Sequence, residues 1–219
     1  VPEPDGDRFI RAAAAIDAAN AEDPTTVVVR GVEGPKELLH GRLVVERVRQ
    51  LDPAADELQL LAARAHHLRR WASPRSAHPD GRAGYLRWRA EARRRHAEDV
   101  RALLTDHGCT PDEADRVAAI VAKQHLGSDP AVQTHEDALC LVFLETQLAE
   151  VADRLGDDAA IGVLVKTLRK MSAAGRRLAR EVTLEDRARA VLLRAMDDLG
   201  ADGVDGGAGA TGAGTGPVA

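Results

Sequence analysis

The residues of this chain best suited to chemistry are histidines and carboxylates standing where apolar side chains are expected. Along residues 58–75 (LQLLAARAHHLRRWASPR), Leu58, Leu61, Ala62, Ala65, Leu68 and Ala72 form one stripe at about 100° per residue. Leu60, Ala63, His67 and Trp71 form a second stripe, roughly opposite the first on the same wheel. His67 therefore has apolar company. Asp137 heads another apolar face with Gln133, ahead of Cys140, Leu141, Leu144, Leu148, Val151 and Leu155, and Glu136 lies on the side shared with Phe143. Burying a lone carboxylate is costly, so Asp137 calls for a cation, hydrogen-bond donors or a metal. Glu37 and His40 share a face with Gly41, Val44, Val48 and Leu51, and Glu37-x-x-His40 is half, by spacing, of the paired set with which helical bundles hold two metals. Histidine with carboxylates on facing helices is how a helical protein assembles an N/O site for a divalent metal. His40, His67 and Asp137 are the expected ligands, with Glu37 and Glu136 completing the site as acid–base groups. A buried His67–Asp137 hydrogen bond without metal is the alternative.

Cations that could neutralise a substrate lie near these residues in sequence or pattern. Arg70 flanks the His67 stripe, Arg75 follows its end, and Trp71 continues it. Lys166 and Lys170, four apart on a helix, are neighbours that repel slightly and that an anionic partner would reward. Arg70, Trp71, Arg75, Lys166 and Lys170 are thus the expected substrate contacts. The reaction this constellation suggests is metal-dependent hydrolysis of a phosphorylated small molecule, such as a nucleotide, with the metal lowering the pKa of a bound water. The competing readings are a non-catalytic module that binds a nucleotide or RNA, and a helical scaffold for a protein partner. Phosphate loops, dinucleotide fingerprints, a GxSxG elbow, paired CxxC and HExxH are all missing from the sequence.

The elements that must position these groups read as helices. Apolar residues make up 44% of the 219 and aromatics 2%, so Leu, Val, Ile and Ala must build the core, which favours packed helices. Helices are predicted at about 5–20, 35–51, 58–75, 82–107, 111–127, 130–155, 158–172 and 183–199. Pro35 is a good first helical residue, Asp52-Pro53 caps the central helix, and Thr110-Pro111-Asp112-Glu113 is a capping box. The run 25–30 (TTVVVR) is too short to found a sheet, and 24–34 is expected to be irregular. Asp17, Asn20 and Asp23-Pro24 read as capping and turn chemistry. The basic helix near 82–107 is anchored by Tyr85, Leu86 and Trp88, with most of its arginines on a solvated face. Because the 58–75 helix is apolar on two sides, it is expected to be covered on both. The expected architecture is a single all-α orthogonal multi-helix bundle over residues 1–200, with this helix at its centre.

A net charge of −5, from many charges of both signs, points to no global polyanion binder. Two distant cysteines, no signal peptide and no membrane-length apolar run suggest a reduced cytoplasmic protein. The Gly/Ala-rich tail, 201–219, is expected to be disordered because it cannot bury enough apolar surface.

Five segments carry a resemblance: PKELL at Pro35, ARAHHLRRWASPR at Ala63, GYLRWR at Gly84, EDALCLVFLE at Glu136 and KTLRKMS at Lys166. Together with the Asn20–Pro24 turn, they resemble the family known as domain of unknown function 4202 over most of residues 5–182. That resemblance implies a shared helical fold and site. Position 66 is His where the family pattern has Gln, which points to His67 rather than His66 as the functional histidine, and Leu168 stands where the pattern has Trp. A more remote similarity is to the HD-domain metal-dependent phosphohydrolases, whose ligand order His, His-Asp, Asp resembles His40, His67, Asp137. There Leu68 departs from the Asp of the His-Asp pair. What this similarity implies is an HD-like helical fold with a divalent metal.

Overall fold

The computed structural model describes residues 5–205, and side chains from Asp7 to Ala201. It is a helical protein with one small hairpin. In order, the elements are α1 (Asp5–Ala21), β1 (Thr26–Val29), β2 (Val32–Pro35), α2 (Lys36–Leu51), α3 (Glu57–Ala65), α4 (Gly81–Asp106), α5 (Pro111–Val121), α6 (Pro130–Leu155), α7 (Asp157–Lys170), α8 (Ala173–Glu181) and α9 (Asp186–Asp205). Two single 3-10 turns, Arg70–Ala72 and Arg75–Ala77, lie between α3 and α4. The chain divides into two compact units, 1–135 and 136–219, and the division falls inside α6.

In the first unit α3 packs against α1, α2 and α5. Leu61, Ala62, Ala63 and Ala65 are all buried, as expected of a helix covered on two sides. The approach of α2 to α3 is close because of Gly41, where an added Cβ would lie 2.7 Å from the Arg64 carbonyl oxygen. Ile16, Leu68, Val100, Leu104, Val117 and Ile120 fill the core between these helices. In the second unit α7 packs on α9, and Leu141, Leu144, Leu148, Leu164, Leu168 and Leu192 are buried.

Four expectations are corrected. The stretch 58–75 is not one helix: α3 stops at Ala65, because the His66 ring turns back to the Ala63 carbonyl and Arg69 adopts a left-handed backbone, φ 53°. A β-branched run that was expected to be irregular pairs with the residues after it. The Arg30-Gly31 turn, φ 50° and 78°, has the double left-handed geometry of a tight hairpin and puts Val29 opposite Val32. The helix from Pro111 ends at Val121, ahead of left-handed Lys123 and His125. Finally, Ser172 opens the short α8 instead of ending a helix, its hydroxyl accepting from Gly175 N.

No helix of the described residues is long and apolar enough to cross a membrane. The last helix continues through Gly200 to Asp205; the rest of the expected disordered tail, 206–219, lies outside the described residues.

Candidate functional site

The first turn of α2 is fixed from outside the helix. Asp23, in the turn after α1, accepts the Glu37 backbone N–H at 3.1 Å through one carboxylate oxygen and the Thr25 N–H at 2.9 Å through the other. Asn20 donates to the Arg64 carbonyl at 3.1 Å, tying the end of α1 to the last turn of α3. The polar cluster at the end of α1 therefore holds two helix ends in register, which is the capping role its residue types suggested.

The break after α3 is braced by α4. Trp88 donates its indole N–H to the Ser73 carbonyl at 2.9 Å, Arg95 donates to the Ala72 carbonyl at 3.2 Å, and His96 Nδ1 donates to the Leu68 carbonyl at 2.9 Å. Backbone carbonyls outside a regular helix need partners, and these three side chains supply them to Leu68, Ala72 and Ser73. Residues 66–73 are thereby held in a non-helical path that turns His66 and His67 toward α2.

Glu37, His66 and His67 come together there. Each offers one ligand atom, and the three atoms lie within 4.8 Å of one another. Glu37 is 3% exposed and its Oε2 lacks a hydrogen-bond partner among the described residues, although His67 Nδ1 lies 3.3 Å away. Burial pushes the Glu37 carboxyl above its ordinary range, against the opposing pull of Arg70 and then His40. The imidazoles respond in the opposite sense. Burial, then the neighbouring His67, holds His66 well below the usual histidine value. His67 is held well below it by burial and by Arg70, His40 is lowered mainly by burial, and His96 is brought down to about 4 by burial. Burial thus favours the neutral form of all four rings, the state in which imidazole ligates a metal.

Tautomers follow from the acceptors. His66 Nδ1 lies 3.1 Å from the Ala63 carbonyl and must donate to it, which leaves the lone pair on Nε2. His96 is set the same way by the Leu68 carbonyl, and its Nε2 is buried with no hydrogen-bond partner among the described residues. A backbone carbonyl that fixes one ring nitrogen and frees the other is the usual arrangement behind a metal-bound histidine. The ring of His67 stands between the other two, with centroids 4.3 Å from His66 and 5.7 Å from His96.

Of the expected site residues, Glu37 and His67 meet. His40 is buried one turn along α2 from Glu37. Arg70 touches His67, with Nη1 2.9 Å from Nε2, and its guanidinium lies over the Trp88 ring at 5.1 Å. Trp71 is half-buried in the 3-10 turn; Trp88 is the aromatic that meets the arginine. Arg75 donates to the His78 carbonyl at 2.8 Å, closing its own turn. In the second unit, Asp137 accepts from Ser172 N at 2.9 Å and from the Ser172 hydroxyl. A Cβ on Gly175 would meet the Asp137 carboxyl carbon at 2.6 Å, so the carboxylate is packed against the first turn of α8. Ser172 thus supplies donors to both oxygens of the buried Asp137 carboxylate. Glu136 is buried with Oε1 3.8 Å from Lys170 Nζ, while Lys166 is exposed.

Reading the sequence missed His96, took Trp88 only as an apolar anchor of its helix, and discounted His66. The signal for the first two was periodic: Trp88, Ala92, His96, Val100 and Leu104 recur every four residues along α4 and are all buried. His66 carried no comparable signal, because its placement depends on where α3 ends.

A family model described as Domain of unknown function (DUF4202) matches residues 10–192. No curated protein and no solved structure matches the chain.

Proposed function

The chain belongs to the DUF4202 family, and on that premise we propose that it is a metal-dependent hydrolase of a phosphorylated small molecule such as a nucleotide. The observation that carries this reading is the convergence of Glu37, His66 and His67 on one buried point. A carboxylate with two neutral imidazoles is a donor set for zinc and its neighbours in the first transition row, and three protein ligands leave a coordination position open. Glu37, His66 and His67 would hold the ion, with His96 and His40 beside them. A divalent ion held there would supply a bound water of lowered pKa and polarise a phosphoryl oxygen. The protein's own part is to present neutral lone pairs on rings fixed by backbone carbonyls, and to bring the Arg70 guanidinium within reach of an anion. The ligand set does not draw on Asp137, whose two oxygens are engaged by Ser172. Of the HD-like order His40, His67, Asp137, this ligand set uses His67.

A second reading has one observation in its favour. Glu37, His67 and Arg70 form a chain of contacts that needs no metal, as a non-catalytic nucleotide- or RNA-binding module with a structural His–carboxylate pair would have. Protein purified without chelator should separate the two. The hydrolase carries bound metal and cleaves phosphate esters or nucleotides, and His67→Ala folds but loses both. A metal-free wild type whose nucleotide or RNA affinity falls steeply with salt is the binding module.

A further inference from the structure

We propose that His96 positions the attacking water of this site, its Nε2 accepting a hydrogen bond from a water on the ion that Glu37, His66 and His67 hold. This deepens the hydrolase reading and rests on it. The argument begins with an excess of acceptors. His96 Nδ1 lies 2.9 Å from the Leu68 carbonyl and must donate to it, so the lone pair of the neutral ring is on Nε2. That nitrogen is buried, in a residue 4% exposed, and has no hydrogen-bond partner among the described residues. Glu37 Oε2 is in the same condition. Two acceptors cannot satisfy each other, and an unmet buried acceptor is costly. The arrangement therefore calls for a donor or a cation from outside the chain.

The two acceptors differ in what they can reach. Glu37 shares a point with His66 and His67, their ligand atoms lying within 4.8 Å of one another, and His96 stands outside that set. Its ring centre is 5.7 Å from that of His67, with the planes tilted by 44°, and Glu37 is among the charges that act on it. A lone pair beside a ligand set, but not within it, suits a partner one atom further out. Water on the ion is such a partner, because it adds a metal–oxygen bond and a hydrogen bond to the span.

His96 is also held firmly enough for the task. It belongs to the buried stripe of α4, and the carbonyl it bonds is that of the residue after His67. One contact thus fixes the ring, selects its tautomer and ties it to a ligand. A water with one O–H directed at Nε2 keeps a lone pair turned elsewhere, toward a phosphoryl group brought to the ion. Holding a nucleophile in one direction accelerates its attack.

Two substitutions separate this role from a structural one. Asn places its amide nitrogen where His96 has Nδ1, so His96→Asn keeps the Leu68 bond and loses the acceptor. Gln places its amide oxygen where Nε2 stands, so His96→Gln keeps an acceptor and gives up the bond. Zn2+ affinity, measured by competition with a chromophoric chelator, should stay within about tenfold of wild type in both, the lower end of what an outer partner of a metal site costs. With p-nitrophenyl phosphate as the probe, kcat should fall about 100-fold in His96→Asn, the cost of a misplaced reacting group. It should fall less in His96→Gln, although His96→Asn is the more stable of the two. A crystal structure of Zn2+-loaded wild type should show a solvent oxygen bound to the ion and hydrogen-bonded to Nε2. Nε2 on the zinc itself, or no oxygen between them, would overturn the inference and leave the metal site standing. Rates that follow stability, with His96→Gln the slower variant, overturn it equally. A bridging oxygen in a protein that cleaves no phosphate ester or nucleotide would remove the reaction and with it the role of the water. Failure to bind Zn2+, Co2+ or Mn2+ removes both the inference and the hydrolase.

Discussion

Glu37 in α2 and Asp137 in α6 are buried to nearly the same degree, 3% and 2% exposed, yet their surroundings have little in common. Within the unit of Asp137, Ser172 donates to both of its oxygens, and Gly175 leaves room for the carboxylate. Glu37 has a fixed backbone and one oxygen without a hydrogen-bond partner among the described residues, in reach of a histidine that an arginine touches. A buried carboxylate with donors on both oxygens has its desolvation offset. One kept dry, incompletely bonded and ringed by neutral imidazoles is poised for a cation. Burial alone does not distinguish the two; the source of the donors does.

The largest effect expected from this contrast is at Glu37. Glu37→Gln should weaken Zn2+ binding at least about 100-fold, since loss of even an outer partner of a metal site commonly costs 10–100-fold. The metal-free protein should not suffer. Because the folded pKa of Glu37 lies above its unfolded value, the folded state is relatively favoured at low pH and loses that advantage as pH rises through the folded pKa. Glu37→Gln should therefore raise the melting temperature of the apo protein at pH 7. A lowered one would make Glu37 a structural group like Asp137.

Next in size is the acid sensitivity of the histidines. His96 has a folded pKa of about 4 against an ordinary 6.5. The unfolded chain therefore takes up its proton first, and the stability this ring contributes is complete above pH 6.5 and lost as pH falls toward 4. With each pKa unit worth 1.36 kcal/mol, that loss approaches about 3 kcal/mol for this ring, and His66 and His67 act in the same direction. Denaturant melts of wild type and His96→Gln at pH 7 and pH 4.5 should show the difference narrowing in the variant. An unchanged pH dependence would mean that His96 is not the buried neutral ring described.

Ser172→Ala tests the other carboxylate. It removes the cap of α8 and a donor to Asp137, so stability should fall by about 2 kcal/mol, while Zn2+ affinity should stay within about twofold of wild type, the scatter of such titrations. A Zn2+ affinity that falls with the cap would place the two carboxylates in one functional system and erase the contrast. The smallest effect is at Asp129, a third carboxylate. It caps α6 through Ala131 N and Val132 N and is paired with both terminal nitrogens of Arg116. The Arg116 hydrogen bonds bring its pKa to about 2. Its contribution is present above its ordinary 3.8 and is lost only as pH falls toward 2, so it does not overlap the histidine window. Asp129→Ala should cost about 1 kcal/mol at pH 7 and leave the pH 4.5–7 profile parallel to wild type.

Much of this was legible in the residues, and the limits have physical causes. Helix starts were readable where a cap and a proline coincide, as at Thr110-Pro111 and Asp129-Pro130. Glu37 and His67 stood out because a polar group on an apolar stripe needs an explanation. The partner of His67 did not emerge from pattern, since helical periodicity says which face a residue occupies but not which element covers it. The end of α3 was illegible for a related reason. No residue type near Ala65 announces a stop, and the path that follows is braced from far along the chain, where Trp88, Arg95 and His96 bond the Ser73, Ala72 and Leu68 carbonyls. Once that break was missed, His67 was placed on one stripe of a continuous helix and His66 on neither. In the structure they are neighbours with rings 4.3 Å apart. Asp137 was correctly read as needing donors, but its donor lies in a nine-residue helix too short to announce itself by periodicity.

The central claim is that Glu37 and its histidines, buried in the first unit, form a metal site. The most direct test is the metal content of wild type and Glu37→Gln, each purified without chelator, equilibrated with Zn2+ and freed of unbound ion before elemental analysis. The account predicts about one tightly held ion per chain in wild type, as a single three-ligand centre requires, and essentially none in a folded Glu37→Gln. Wild type that holds no ion, or a Glu37→Gln protein that holds as much as wild type, would contradict it.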